Sequence, residues 1–434
     1  MRLIEQIRDA GVVGAGGAGF PTDRKLNCKA EILIINGIEC EPLLRTDRHV
    51  MEQYGDEIVR TVRSIRDALG ASRAVIALKK HYEAAVSVLE KAVKGTKVEL
   101  YLSESFYPAG DEQNLVFSVT GRTVPTGGIP LDVGCVVCNV STVLNIARAV
   151  EGHPVTDKMV TVSGSVTAPV TVTCPVGTPL ARLLAAAGGS VGGLRIYLWG
   201  GPPLWEKVTE DLKQPVTKTT GGLLAIPRTI CCWPKKKASS RDAMIARAVC
   251  SQCSLCTQMC PRNAMGLNVQ PHRAMRAFAS GSRELLGDVN GIFSCCDCGI
   301  CTYFACSFGL KPSMAMQQMK NSLAAAGIKP VKEVKYPPDG GMANKRIPTE
   351  RLLWRLDLKR FDREAPLGGY VDSDEVRIPL KMHIGAPDIP LVSPGDRVRR
   401  EELIARPDGL GANIHASIDG TVTAVTEDYI EIRR

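Results

Sequence analysis

At 434 residues, with 44% of them hydrophobic, the chain is long enough for about three domains with cores of their own. Its net charge of +9 is a mild excess of scattered basic residues, not interleaved with aromatics, which argues against a nucleic-acid-binding face. No run approaches the ~18 apolar residues of a membrane span, and sixteen cysteines behind an N-terminus without an apolar signal core point to a reducing cytosol and metal ligation, not a disulfide framework.

The first ten residues have the rhythm of a short charged helix, which Gly11 breaks. From Gly11 to Gly19, five of nine positions are glycine, which strips side chains from a loop so that backbone N–H groups can approach an anionic or planar ligand. A dinucleotide-binding fingerprint would follow a strand. None is expected before this loop, so it reads as a flavin or phosphate loop of a different kind. Residues 31–36 form an apolar run suited to a buried parallel strand, and Asn36, Glu39 and Glu41 fall at its C-terminal end, where open α/β sheets bind ligands. The two acids could shape a nucleotide pocket, although by themselves they are better explained as a solvated turn.

Helical and strand patterns then alternate, with helices expected over 48–69 and 82–93 and strands over 74–78 and 97–102. That alternation predicts an α/β sandwich around a mostly parallel sheet. Residues 106–112 are a further loop of turn residues and acids. Cys135 and Cys138 imitate a ligand pair, but residues three apart on a strand face opposite ways, and buried small side chains are the expected role. A helix follows over 143–150. Strand alternation near 161 and 170, with a capped helix from Thr178 to Gly188, suggests a β-grasp module. Cys231-Cys232-Trp233-Pro234 and the run Lys235–Lys237 read as a linker with a reduced, inert cysteine pair.

Cys250, Cys253, Cys256, Cys260 and Pro261 then follow the C-x2-C-x2-C-x3-C-P run of a bacterial two-cluster ferredoxin. A second run has Cys295, Cys298 and Cys301, then Cys306 after four residues and Ser307 in place of proline. Three thiolates two residues apart on a tight loop can hold three corners of one [4Fe–4S] cube, and the distal cysteine of the other run supplies the fourth. One cluster is therefore assigned to Cys250, Cys253, Cys256 and Cys306, and the other to Cys295, Cys298, Cys301 and Cys260. Cys296 is left as a bystander. Zinc also takes four thiolates, but zinc ribbons set two pairs well apart instead of four cysteines in eleven residues. Helices over 271–279 and 313–325 are expected to cover the clusters, with the methionines at 314–319 as packing.

Residues 329–341 read as a second, Pro- and Gly-rich linker, and 348–358 as a helix. From about 371, short strands with Gly-Asp and Asp-Gly turns suggest a small β-sandwich. It resembles the barrel-sandwich hybrid of biotinyl and lipoyl carriers, yet no lysine occupies the turn at 417–420, which argues against swinging-arm chemistry. His383 and His415 are read as hydrogen-bonded structure.

Gly14, Gly16, Gly17, Phe20 and Lys25, then Asn36, Glu39 and Glu41, then Gly110 and Asp111, then Asn139 and Thr142, together resemble the flavin-binding fold of the NADH-oxidising subunit of respiratory complex I. The C subunit of the Rnf ion-translocating complex is more similar, and the cobalamin reductases of propanediol-utilisation microcompartments, which also place the flavin domain first, are most similar. The resemblance implies FMN contacts from Gly14, Gly16, Gly17, Lys25, Asn36, Glu39, Gly110, Asp111, Asn139 and Thr142, and nicotinamide-nucleotide contacts from Phe20 and Glu41. Cys138 and Ser141 depart from the family pattern. The domains it implies are an FMN/NADH-binding α/β domain (1–155), a soluble-ligand-binding β-grasp domain (156–228), a two-[4Fe–4S] ferredoxin-like helical domain (243–330) and a barrel-sandwich hybrid (366–434).

The implied function is electron transfer from NADH through FMN and two [4Fe–4S] clusters to cobalamin or a corrinoid-bearing enzyme. The implied setting is the cytoplasm or a bacterial microcompartment with its proteins as partners, and no membrane span or nucleic acid is involved. An electron-entry subunit of an Rnf-like complex, or a binding module with purely structural clusters, are the alternatives.

Overall fold

The computed structural model describes residues 2–189, 194–199, 207–227 and 239–434, so the 231–237 linker motif lies outside the described residues. The chain forms two compact units, one of residues 1–104, 136–230 and 360–434, the other of residues 105–135 and 231–359.

The first unit begins with the expected α/β layer. Its sheet has the order Val98–Ser103, Arg73–Lys79, Ile32–Gly37, Cys135–Asn139, and the first three strands are parallel. Ile32, Leu33, Ile34 and Ile35 are all buried, as strands covered on both faces require. The helix Thr46–Leu69 packs on Glu83–Ala92 and Val140–Val150. It ends at Gly70, whose left-handed φ of 66° lets its N–H cap the carbonyls of Arg66 and Asp67. The helix Val140–Val150 starts three residues earlier than the periodicity suggests, because Asn139 caps it by accepting from Ser141 N. Cys135 and Cys138 are buried, as expected of small strand side chains.

Next comes a six-stranded sheet in the order Leu367–Tyr370, Val170–Pro175, Asp157–Gly164, Gly222–Pro227, Leu194–Trp199, Lys207–Thr209, with the helix Leu180–Ala186 following Val170–Pro175 and preceding Leu194–Trp199 along the chain. Its outer strand Leu367–Tyr370 pairs parallel with Val170–Pro175. The C-terminal module itself is two small sheets. One joins Glu375–Pro379, Tyr429–Arg433, Gly420–Val425 and Arg397–Val398; the other joins Ile389–Pro390, Leu403–Arg406 and Ile414–His415. Val376, Ile378, Ile404, Ile430 and Ile432 fill the core between them.

The second unit is mainly helical. Pro271–Ser280 packs on Ser240–Val249 and Pro312–Ala325, and Met265, Met275 and Met316 are buried among them. Residues 105–135 belong here, and they carry the helix Glu112–Thr120, where the sequence pattern predicts only a loop up to residue 112. Phe106–Tyr107 pairs antiparallel with Ile347–Pro348. The expected 329–341 linker is laid onto this unit, not free. Thr126 N donates to Glu333 O, Asp339 N to Ala264 O, and the N–H of Tyr336 to Gly266 O. Gly266 has φ +88° and a Cβ there would meet Tyr336 O at 2.0 Å, so this crossing requires glycine.

Candidate functional site: a glycine loop in one unit and two thiol sets in the other

The glycine loop closes on itself. Thr22 N donates to Val12 O and Gly14 N to Phe20 O, closing off residues 15–19 as a tip in which Gly16 and Ala18 are exposed while Ala15 and Gly19 are buried. Both backbone groups of Ala15 are anchored: its N–H donates to Thr142 Oγ1 at 2.9 Å and its carbonyl accepts from Lys158 Nζ at 3.2 Å. The tip lies against Asn139. A Cβ on Gly16 would stand 2.7 Å from Asn139 Nδ2, so only glycine allows that approach. Gly16 and Phe20 are exposed, and Gly14, Gly17 and Lys25 are half-buried.

Asn139 is held from below. Its Nδ2 donates to Asp47 Oδ2 at 2.7 Å, and Ser141 Oγ donates to Asp47 Oδ1 at 2.7 Å. Asn36 Oδ1 accepts from Ile38 N at 3.1 Å, which fixes the turn that carries the two acids. Glu39 is buried; its Oε1 accepts from Asp47 N, its carbonyl from Lys79 Nζ, and its Oε2 has no partner. Burial, reinforced by the neighbouring Asp47 charge, pushes the Glu39 carboxyl up to about 8. Burial likewise raises Glu41 and Asp47, in the latter against hydrogen bonds from Ser141 and Asn139. Lys158 is lowered by burial to about 8, opposed by the pull of Asp47. The result is a polar floor beneath an exposed loop, with one carboxylate oxygen unsatisfied. These features fit a planar, polar ligand such as a flavin.

Gly14, Gly16, Asn139 and Thr142 are thus brought together, with Asn36 and Glu39 in the same unit. Gly110 and Asp111 belong to the second unit. There Asp111 Oδ2 accepts from Asn114 N at the head of Glu112–Thr120, and Oδ1 accepts from Arg262 Nη2 at 2.9 Å.

Sequence reasoning missed Asp47, Lys79 and Lys158. Asp47 looks like an ordinary first-turn acid. Lys158, however, shares strand parity with the buried Val160 and Val162, and a lysine on the apolar face of a strand was a readable signal.

In the second unit both cysteine runs fold alike. Gln252 and Ser254 have φ of 58° and 60°, and the matching Asp297 and Gly299 have 54° and 73°. Left-handed residues on either side of the middle cysteine wind each loop so that its three thiols can share one side. Cys256 is pushed up to about 12 by burial and then by the sulfurs of Cys306, Cys253 and Cys250. Cys295 is raised by burial, with Cys301 and Cys260 among the charges that add to it, and Cys301 feels both Cys260 and Cys256. Cys256 thus senses Cys250, Cys253 and Cys306, and Cys295 and Cys301 sense Cys260, which follows the grouping expected from the spacing. Cys296 takes the place that Ser251 holds in the first loop. Burial and neighbouring sulfurs make Cys256, Cys295 and Cys301 resist ionisation, and a cation such as cluster iron would compensate them.

Known proteins match this arrangement. Residues 7–148 match the Nuo51 FMN-binding domain, residues 249–311 a 4Fe-4S dicluster domain, and residues 356–433 the RnfC barrel sandwich hybrid domain. The chain is 40% identical to the cobalamin reductase PduS of Salmonella typhimurium, over 100% of this chain and 96% of that protein. The chain belongs to the PduS cobalamin reductase family. The Citrobacter freundii member is 38% identical over the same shares. The C subunit of the ion-translocating oxidoreductase complex of Vibrio cholerae is 34% identical over 64% of this chain and 35% of that protein. The chain is accordingly an oxidoreductase with flavin and iron–sulfur domains. All eight cysteines of the two sets fall inside the dicluster match.

Proposed function

We propose that this chain is a cobalamin reductase that takes electrons from NADH and passes them through FMN and two [4Fe–4S] clusters to a corrinoid. The observation that carries this reading is the full-length identity to PduS, in a chain where Cys301 of one run senses Cys256 and Cys260 of the other. FMN when bound would exchange two-electron for one-electron transfer, and the clusters would carry single electrons.

The residues proposed to hold the flavin are Gly14, Gly16, Gly17, Lys25, Asn36, Glu39, Asn139 and Thr142, to which the family pattern adds Gly110 and Asp111. Phe20 and Glu41 are proposed for the nicotinamide nucleotide. The glycine tip offers backbone N–H groups at close range, while Asp47 orients the Asn139 amide and Lys158 fixes the tip's carbonyl. Glu39, neutral below about pH 8, would present a hydrogen-bond donor at its unsatisfied oxygen. Cys250, Cys253, Cys256 and Cys306 are proposed as the ligands of one cluster and Cys260, Cys295, Cys298 and Cys301 as those of the other.

Among the described residues no helix is long and apolar enough to cross a membrane. A setting inside a propanediol-utilisation microcompartment follows from the PduS kinship and is part of the proposal.

The test is anaerobic addition of NADH to the iron-reconstituted, FMN-loaded chain, followed by hydroxocobalamin. Bleaching of flavin and cluster absorbance, then reduction of the corrin, is the expected course. Clusters that dithionite reduces but NADH does not would remove NADH as donor. A role like that of the Vibrio cholerae relative, within a larger complex, would show as NADH-driven cluster reduction with no transfer to hydroxocobalamin.

A further inference from the structure

Arg262 follows Cys260 by two residues and is only 6% exposed. Its Nη2 donates to Asp111 Oδ1 at 2.9 Å, while Nε and Nη1 have no oxygen or nitrogen to donate to and the guanidinium turns to the sulfur of Cys296. A structural ion pair would need no such surplus, because buried donors of a permanently charged group are rarely left unused. Two sulfurs lie near it. Cys296 lies beside the guanidinium, and Cys260 and Cys296 both feel its positive charge. Cys296 in turn contacts Cys298.

Resting on the iron–sulfur reading above, we propose that Arg262 sets the potential of the cluster held by Cys260, Cys295, Cys298 and Cys301, with Asp111 as its counter-charge. Reduction adds one electron to that cluster, with no proton and no change in its thiolate bonds. A fixed cation at the sulfurs favours the more negative, reduced state, and hydrogen bonds to sulfur act in the same direction. Burial strengthens both effects by excluding water. Asp111 opposes them. The pair therefore works as a charge setting on one cluster and leaves the other untouched. Arg262 is in this sense a positioning residue for charge, not a ligand.

The experiment is an anaerobic redox titration, followed by electron paramagnetic resonance, of the full-length reconstituted chain, with iron and sulfide counted first. Arg262→Gln is expected to move one of the two midpoints to more negative potential and leave the second in place. Arg262→Lys, which keeps the charge, should restore most of the shift. Asp111→Asn should move the same midpoint to more positive potential. A merely structural pair predicts lower thermal stability with both midpoints unchanged in fully loaded protein, and that result overturns the proposal. If Arg262→Gln fails to load iron, the sign of the Asp111→Asn shift decides: positive supports the assignment, and none or negative overturns it. A wild-type chain that binds no cluster defeats the iron–sulfur reading itself, an outcome visible in the iron count before any potential is measured.

Discussion

The two candidate sites differ in how far each completes itself without a ligand. In the first unit nearly every polar group of the site already has a partner: Ala15 with Thr142 and Lys158, Asn139 and Ser141 with Asp47, Glu39 with Asp47 and Lys79. One carboxylate oxygen is left over. In the second unit burial and neighbouring sulfurs raise the Cys256 and Cys295 thiols, and Arg262 has donors that no oxygen or nitrogen takes up. The first site is preorganised, which lowers the cost of binding a ligand reversibly. The second depends on a group that compensates its thiolates, so metal uptake and folding are linked there.

Removing iron tests this comparison most severely. Anaerobic chelation should expose 239–359 to limited proteolysis while 2–104 and 136–189 stay protected; equal protection of both units would end the comparison. Next in size, Cys301→Ser should lower bound iron by about half, from about eight to about four per chain, whereas Cys296→Ser should leave the iron count unchanged. Iron lost equally from both variants would make Cys296 a ligand.

Glu39→Gln sharpens the other side. The folded chain holds the Glu39 carboxyl at about 8 against an ordinary value of 4.5, so it binds that proton more tightly than the unfolded chain does between those pH values. Stability therefore falls as pH rises through that window, and the full penalty is present above pH 8. The variant should be more stable than wild type at pH 9, by on the order of a few kcal/mol, and equal to it near pH 4. Urea unfolding of flavin-free protein at several pH values measures this. The smallest expected effect is that of Gly16→Ala, which displaces the Asn139 amide and should weaken FMN binding about tenfold, roughly 1.4 kcal/mol. Fluorescence titration with FMN would read it, and unchanged affinity would mean that the tip does not face the flavin.

Elements built from local pattern were legible with errors of up to three residues. The strands Ile32–Gly37 and Arg73–Lys79 and the helix Pro271–Ser280 follow their apolar periodicity. The helix Glu112–Thr120 was not legible, since Glu112-Gln-Asn-Leu-Val-Phe offers little amphipathic rhythm behind a turn-rich loop. Nor was the strand Leu367–Tyr370. It holds two glycines and exposed side chains, and it exists because Val170–Pro175, nearly two hundred residues away, offers an edge.

The cysteine spacing by itself pointed to iron–sulfur chemistry, because three thiols of each run lie within one short loop. The glycine density by itself determined where a ligand could approach the backbone. Only the tertiary structure decided what surrounds those loops. Asp47 beneath Asn139, Lys158 under Ala15 and Arg262 between Asp111 and the thiols meet partners 92, 143 and 151 residues distant. Charge and burial act through space, so the residues that tune a site carry no spacing rule along the chain.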